Sequence, residues 1–300
     1  MVKTLARATF VAMLAIAASA CNKDDTSVAS AGVSGPEQTI QRSVALARES
    51  DVAGLVELLL PPAEFVRMKA DWVTKVDATP ADAAAKTRFA ETMAKLTADD
   101  AVENIYKEIE PEIRQFDAQY QQQIPTLVAM GRGYMKGLVQ QSQELSANEK
   151  EQASNIIEAI ASWVEKTRFT DPDLVKKTLG VVTETARKLN LKSLDEARSL
   201  SFEESAPKLQ VGFDGLKKVL DVYGFSINQA LDSVTTQLVS STGDDAVVKI
   251  SYTLLGTPLE STTEMVRLDG HWYSKDTIDK LKARKAEQTP TTSEPAASQG

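Results

Sequence analysis

The chain predicts an α+β fold, mostly α-helical over its N-terminal two-thirds and followed by a three- to four-stranded antiparallel meander. Three observations predict it. Apolar residues recur at helical spacing from Pro36 to about Phe225, polar start signals punctuate that stretch, and the periodicity falls to two after Leu231. Strands that follow a run of helices, instead of alternating with them, indicate segregated layers. A single globular domain over 36–283 accommodates the pattern, helical over 36–225 and sheet over 232–275.

The elements follow in order. Ile40, Val44 and Ala47 share one face of a segment that opens at Pro36. Asp51 caps a second helix bearing Leu55, Leu58 and Leu59, which Pro61-Pro62 stops, and Phe65, Met68, Trp72 and Val76 continue at helical spacing. Five segments then carry capping-box spacing, beginning at Thr79, Thr97, Ser146, Ser193 and Ser201. Asp171-Pro172 adds a cap with proline in the first turn. Three apolar stripes accompany these starts: Ile105, Ile109, Ile113, Phe116 and Tyr120; Ile156, Ile157, Ile160, Trp163 and Val164; and Leu209, Phe213, Leu216, Leu220 and Tyr223, ended by Gly224.

After Thr235–Val239 and a Gly243-Asp244 turn, Val248, Ile250, Tyr252 and Leu254 alternate with Lys249, Ser251 and Thr253. Gly256-Thr257-Pro258 turns the chain, Thr262 to Leu268 returns, and Asp269-Gly270 is a two-residue hairpin signal before His271-Trp272-Tyr273. A short helix over Thr277 to Arg284 closes the domain. Residues 284–300 are poor in bulky apolar side chains and read as a disordered tail.

Composition narrows the function classes. The formal charge of −8 falls to −10 once the first twenty residues, with Lys3 and Arg7, are discounted. Such a surface repels nucleic acid and anionic lipid headgroups over most of its area. One cysteine excludes an internal disulfide and Cys-rich zinc sites, and one histidine excludes multi-histidine metal sites.

That cysteine sits where it carries information. Lys3 and Arg7 precede a short apolar run through Phe10, Val11, Met13, Leu14 and Ile16, and Ala18-Ser19-Ala20-Cys21 closes it. The run is shorter than the roughly 20 residues of a spanning helix and has the build of a secretory signal over 1–20. It resembles the leader and lipobox of bacterial lipoproteins, with Ala18 where that family usually has leucine. The resemblance implies a diacylglyceryl thioether on Cys21 and an acyl group, such as palmitate, on the new amino terminus. Asn22, in place of the aspartate that retains such proteins at the inner membrane, implies an outer-membrane protein facing the periplasm. Residues 21–35 read as a polar tether between anchor and domain.

The remaining candidates for chemistry are weaker. Gly131-Arg132-Gly133-Tyr134-Met135-Lys136-Gly137 lacks the strand–loop–helix context and the Ser or Thr after lysine that a phosphate loop needs. Helix packing through Gly133 and Gly137, or a kink after Pro125, is the expectation. Glu108, Glu110 and Glu112 near Asp117 suggest a cation site, but the spacing of Glu103 to Lys107 and Glu110 to Arg114 fits solvent-facing ion pairs. His271 follows a turn with no legible partner, and Trp72, Trp163 and Trp272 occupy core positions.

No catalytic residue, metal site or cofactor is expected. The expectation is a non-catalytic envelope lipoprotein, membrane-bound through Cys21, that binds an envelope protein or cell-wall component. The alternative follows from the Arg-Leu-Asp-Gly-His-Trp-Tyr hairpin, which resembles the closing hairpin of the NTF2-like fold. That resemblance implies a small-ligand carrier with a pocket lined by Tyr252, Leu254, Met265 and Trp272.

Overall fold

Prolines and short polar side chains decide where the helices begin. In this computed structural model, which describes residues 35–72, 81–143 and 145–288, the chain opens with α1 (Pro36–Arg48), whose first turn holds Pro36. Asp51 accepts a hydrogen bond from the Gly54 amide and starts α2 (Val52–Leu59); Pro61-Pro62 ends it and opens α3 (Pro62–Ala70). Asp82 caps α4 (Ala83–Thr97) through the Ala85 amide. α5 (Ala101–Gln141) is a 41-residue helix that continues through Pro111 and Pro125. Its C-terminal carbonyl at Gln140 accepts from the Lys150 ammonium at 3.1 Å.

Full capping boxes form at Ser146–Glu149, opening α6 (Ala147–Lys166), and at Ser201–Glu204, opening α9 (Phe202–Val222). Between them, Asp171 caps α7 (Pro172–Leu189) by accepting from the Asp173 and Leu174 amides. Ser193 caps α8 (Leu194–Ser199), but Glu196 reaches the Lys192 amide, so that box is half made. The box expected at Thr97 does not form. Thr97 ends α4 and donates back to the Met93 carbonyl at 2.7 Å, and α5 starts after Asp100 with no side-chain cap. Thr79 and Val76 lie outside the described residues.

α10 (Ile227–Asp232) leads into the sheet: β1 (Thr235–Thr242), β2 (Asp245–Leu254), β3 (Thr257–Leu268) and β4 (His271–Ser274), in the order β1-β2-β3-β4. Every neighbour is antiparallel. Leu255-Gly256 and Asp269-Gly270 turn the last two hairpins with positive φ at both residues, which fits the right-handed strand twist. The first of these turns therefore sits one residue before the expected Gly256-Thr257. β1 carries a bulge between Leu238 and Ser240, and the Leu238 amide donates to the Glu37 carboxylate at 2.9 Å.

One face of the sheet makes the core. Ala246, Val248, Ile250, Tyr252 and Leu254 alternate along β2, joined by Leu259 and Met265 of β3 and Trp272 of β4. Ile40, Val44 and Ala47 of α1, with Ala230 and Leu231 of α10, close over them. α6 lies against β3 and supplies Ile156 to the core's edge, while its Gln152 donates to the Tyr252 hydroxyl at 3.3 Å. α5 packs on α6 and α7, α4 on α5 and α7, and α9 on α7 and α2.

α9 buries its expected stripe only in part. Leu209 and Leu216 are exposed and Phe213, Leu220 and Tyr223 half-buried, whereas Phe202, Ser205, Gly215 and Lys217 are buried. Two contacts hold the helix in that setting. Gly215 lets α9 approach α7 so closely that a β-carbon there would lie 2.5 Å from Thr185 Oγ1. Lys217 Nζ donates to the last carbonyls of α1, at Ala47 (3.2 Å) and Arg48 (2.7 Å).

α11 (Lys275–Gln288) extends the closing helix past the predicted Arg284, into the stretch expected to be disordered. Lys285 on its last turn pairs with Glu64 of α3 at 2.7 Å, which explains why the helix persists. Residues 289–300 lie outside the described residues.

Candidate functional site

Cys21, the expected lipid attachment point, and the leader and tether around it lie outside the described residues. The other sequence candidates are dispersed. Glu108 pairs with Lys95 of α4 at 3.0 Å, and Glu110 with Arg114 at 2.8 Å. Asp117 accepts from Arg168 at 2.7 Å and from the Thr170 hydroxyl, and these bonds, the arginine's first, hold its carboxyl below the usual range. Glu108 and Asp117 thus tie α5 to different neighbours, while Glu110 pairs within α5. No group of three or more His, Cys, Asp or Glu able to hold a metal ion occurs among the described residues.

His271 opens β4, exposed, opposite Leu268. Trp272 is core. Trp163 donates to the Tyr223 carbonyl at 2.8 Å and meets Phe169 and Phe225 edge-on, and Trp72 donates to Ser205 and packs edge-on against Phe202. Trp72 and Trp163 therefore knit helical segments together, and Trp272 belongs to the core between the sheet and the helices.

The four residues expected to line a carrier's pocket are packed side chain to side chain. Tyr252, Leu254, Met265 and Trp272 are all buried in the one cluster that Ile40, Val44 and Leu231 cover. Two concavities lie elsewhere, on the helical side. One of about 510 Å³ runs between α4 and the end of α7, by Met93, Thr97 and Asn190, and the Arg187 beside it is committed to the Thr97 and Ala98 carbonyls. A second, of about 320 Å³, lies between Ala94, Lys95, Ala101 and Ile105. Both are open grooves between helices without a convergent set of titratable groups.

Comparison with known protein families, curated proteins and solved structures finds no match.

The glycine-rich stretch holds the feature that sequence reasoning missed. Gly131, Gly133 and Gly137 mediate no close packing: a β-carbon at any of them would meet nothing within 4 Å. They lie on the second half of α5, which is oriented inside out. Arg132 and Lys136, four apart, face α6. Arg132 pairs with Glu158 at 3.4 Å and with Glu165, and Lys136 pairs with Glu158. Arg132 Nε is shielded from solvent. The Lys136 hydrogen bond, with both cations' charge, holds the Glu158 carboxyl below its ordinary range. The opposite side of the same turns carries Leu127, Met130, Tyr134, Met135 and Leu138, of which Met130 and Tyr134 are 67% and 68% exposed. A helix on an ordinary surface places these two sets the other way round.

Proposed function

We propose that the protein is a lipid-anchored envelope protein that binds an envelope component and performs no chemistry of its own. The observation that carries this reading is the leader, in which the chain's single cysteine, Cys21, directly follows Ala18-Ser19-Ala20 at the end of a short apolar run. Two or more acyl chains on one residue anchor a protein stably, whereas one chain binds only marginally. The apolar outer side of α5 supports a binding role, since large exposed apolar patches mark interaction sites.

The carrier alternative draws no support from the packing of Tyr252, Leu254, Met265 and Trp272, which fill the space it needs. The anchor is tested by the mass of the mature amino-terminal peptide and by salt-washed membranes. Cys21→Ala is expected to lose the lipid mass and to leave the membrane fraction. A Cys21→Ala protein that withstands the wash would refute the anchor. Crosslinking of the lipidated protein, with the Cys21→Ala form as control, is expected to enrich one envelope component with the anchored form alone.

A further inference from the structure

The geometry points to the outer side of α5, from Leu127 to Leu138, as a surface that lies against the lipid bilayer carrying the anchor. The inference rests on the lipid-anchor reading of Cys21 for its location, and on the structure of α5 for its chemistry.

Four observations select a lipid surface. Leu127, Tyr134 and Leu138 stand seven and four residues apart, so they fall in one line along the helix, with Met130 and Met135 on its flanks. All five are exposed, and the backbone between them is bare at Gly131. The cations of these turns, Arg132 and Lys136, are bound inward to α6 glutamates and leave the outer side without charge. From Ala118 to Gln143 the sequence has no Asp or Glu, in a chain that has 42 of them. On a molecule this acidic, that stretch is where an anionic bilayer is approached with least repulsion.

Size separates a bilayer from a second copy. The line from Leu127 to Leu138 is about 17 Å long and about 10 Å wide, a fraction of the roughly 1,200–2,000 Å² that a stable protein interface buries. An interfacial helix has a lower threshold, because its apolar side enters the headgroup boundary while the rest stays in water. Thirteen residues lie between Cys21 and Gly35, a reach of at most about 50 Å. Such a tether keeps the domain at the membrane, and a weak contact suffices once it is intramolecular.

The test uses the lipidated mature protein in vesicles of phosphatidylethanolamine and phosphatidylglycerol. Cys21 is consumed by its thioether, so Met130→Cys takes an environment-sensitive fluorophore at one place, and Lys282→Cys on α11 serves as reference. The fluorophore at position 130 is expected to shift to the blue and to be quenched about threefold or more by nitroxide lipids, with the reference unchanged. Adding Leu127→Ser and Leu138→Ser is expected to restore the water-like signal. An unshifted, unquenched fluorophore at position 130 overturns the inference. So does a shift that depends on protein concentration without lipid, which identifies a second copy. The anchor reading fails by a different sign, the absence of lipid mass on Cys21. In that case the fluorophore at position 130, read on a Cys21→Ser protein tethered to the same vesicles through an amino-terminal histidine tag and a nickel-chelating lipid, still decides the α5 surface, with a water-like signal in the Leu127→Ser, Leu138→Ser variant as the supporting result.

Discussion

Lys217 is a charged side chain placed where charge is expensive, 4% exposed among α9, α2 and the end of α1. Desolvation pushes its pKa down from the ordinary lysine value. What offsets that cost is the pair of α1 carbonyls it receives, two of the acceptors that every helix end leaves unmet. Lys217→Ala is expected to cost about 2–3 kcal/mol, read as a lower denaturant midpoint, because hydrogen bonds to charged groups carry about 1.5–3 kcal/mol. Glu64 is the second such residue. Lys285, the larger influence, and Arg67 hold its carboxyl below the ordinary 4.5. A depressed carboxylate contributes stability that is present above the unfolded value and lost as pH falls through the folded one. Glu64→Gln should therefore destabilise by about 1–3 kcal/mol at pH 7, with the difference from the parent closing as pH falls below the ordinary 4.5 and through the lower folded value. A difference that stays the same from pH 7 into acid would show that the pairing is not the source.

At the scale of the element, two helices depart in part from the expectation drawn from their own sequence, for different reasons. The third apolar stripe was read from spacing alone, and spacing is blind to Gly215 and Thr185, thirty residues apart, or to Lys217 and the end of α1. The second half of α5 was opaque because Leu127, Tyr134 and Leu138 have the same period whether they face in or out. By contrast, the boxes at Ser146 and Ser201, the Asp171 cap and the Asp269-Gly270 turn were legible, since each is closed by partners within three residues. The glycines offer a direct contrast. Gly215→Ala is expected to cost about 1–3 kcal/mol, because the new methyl meets Thr185, whose hydroxyl is engaged with the Val181 carbonyl at 2.7 Å. Gly133→Ala meets open space and is expected to gain up to about 1 kcal/mol from helix propensity. Thermal midpoints of the two variants should move in opposite directions.

Over the whole molecule, the division into a helical part and a meander was visible in the change of period after Leu231, and the observed sheet, 235–274, nearly coincides with that expectation. How the parts join was not visible. α1 is the first described helix, yet it packs on β1, β2 and β4, two hundred residues later, and α11 reaches back to Glu64. Such contacts of long sequence separation leave no periodic trace, and their closure slows folding more than it alters stability. The candidate site was hidden for the same reason: a side's exposure is a property of its neighbours.

The bulge in β1 and the Glu37 carboxylate bear on aggregation. An unprotected outer strand offers its free amides to any other strand. Here the Leu238 amide is already taken by Glu37, and the bulge at Val239 puts the ladder out of step at the same place. A copy arriving edge-on finds no continuous row of donors to extend. The β1 edge is thereby interrupted by the protein's own first helix.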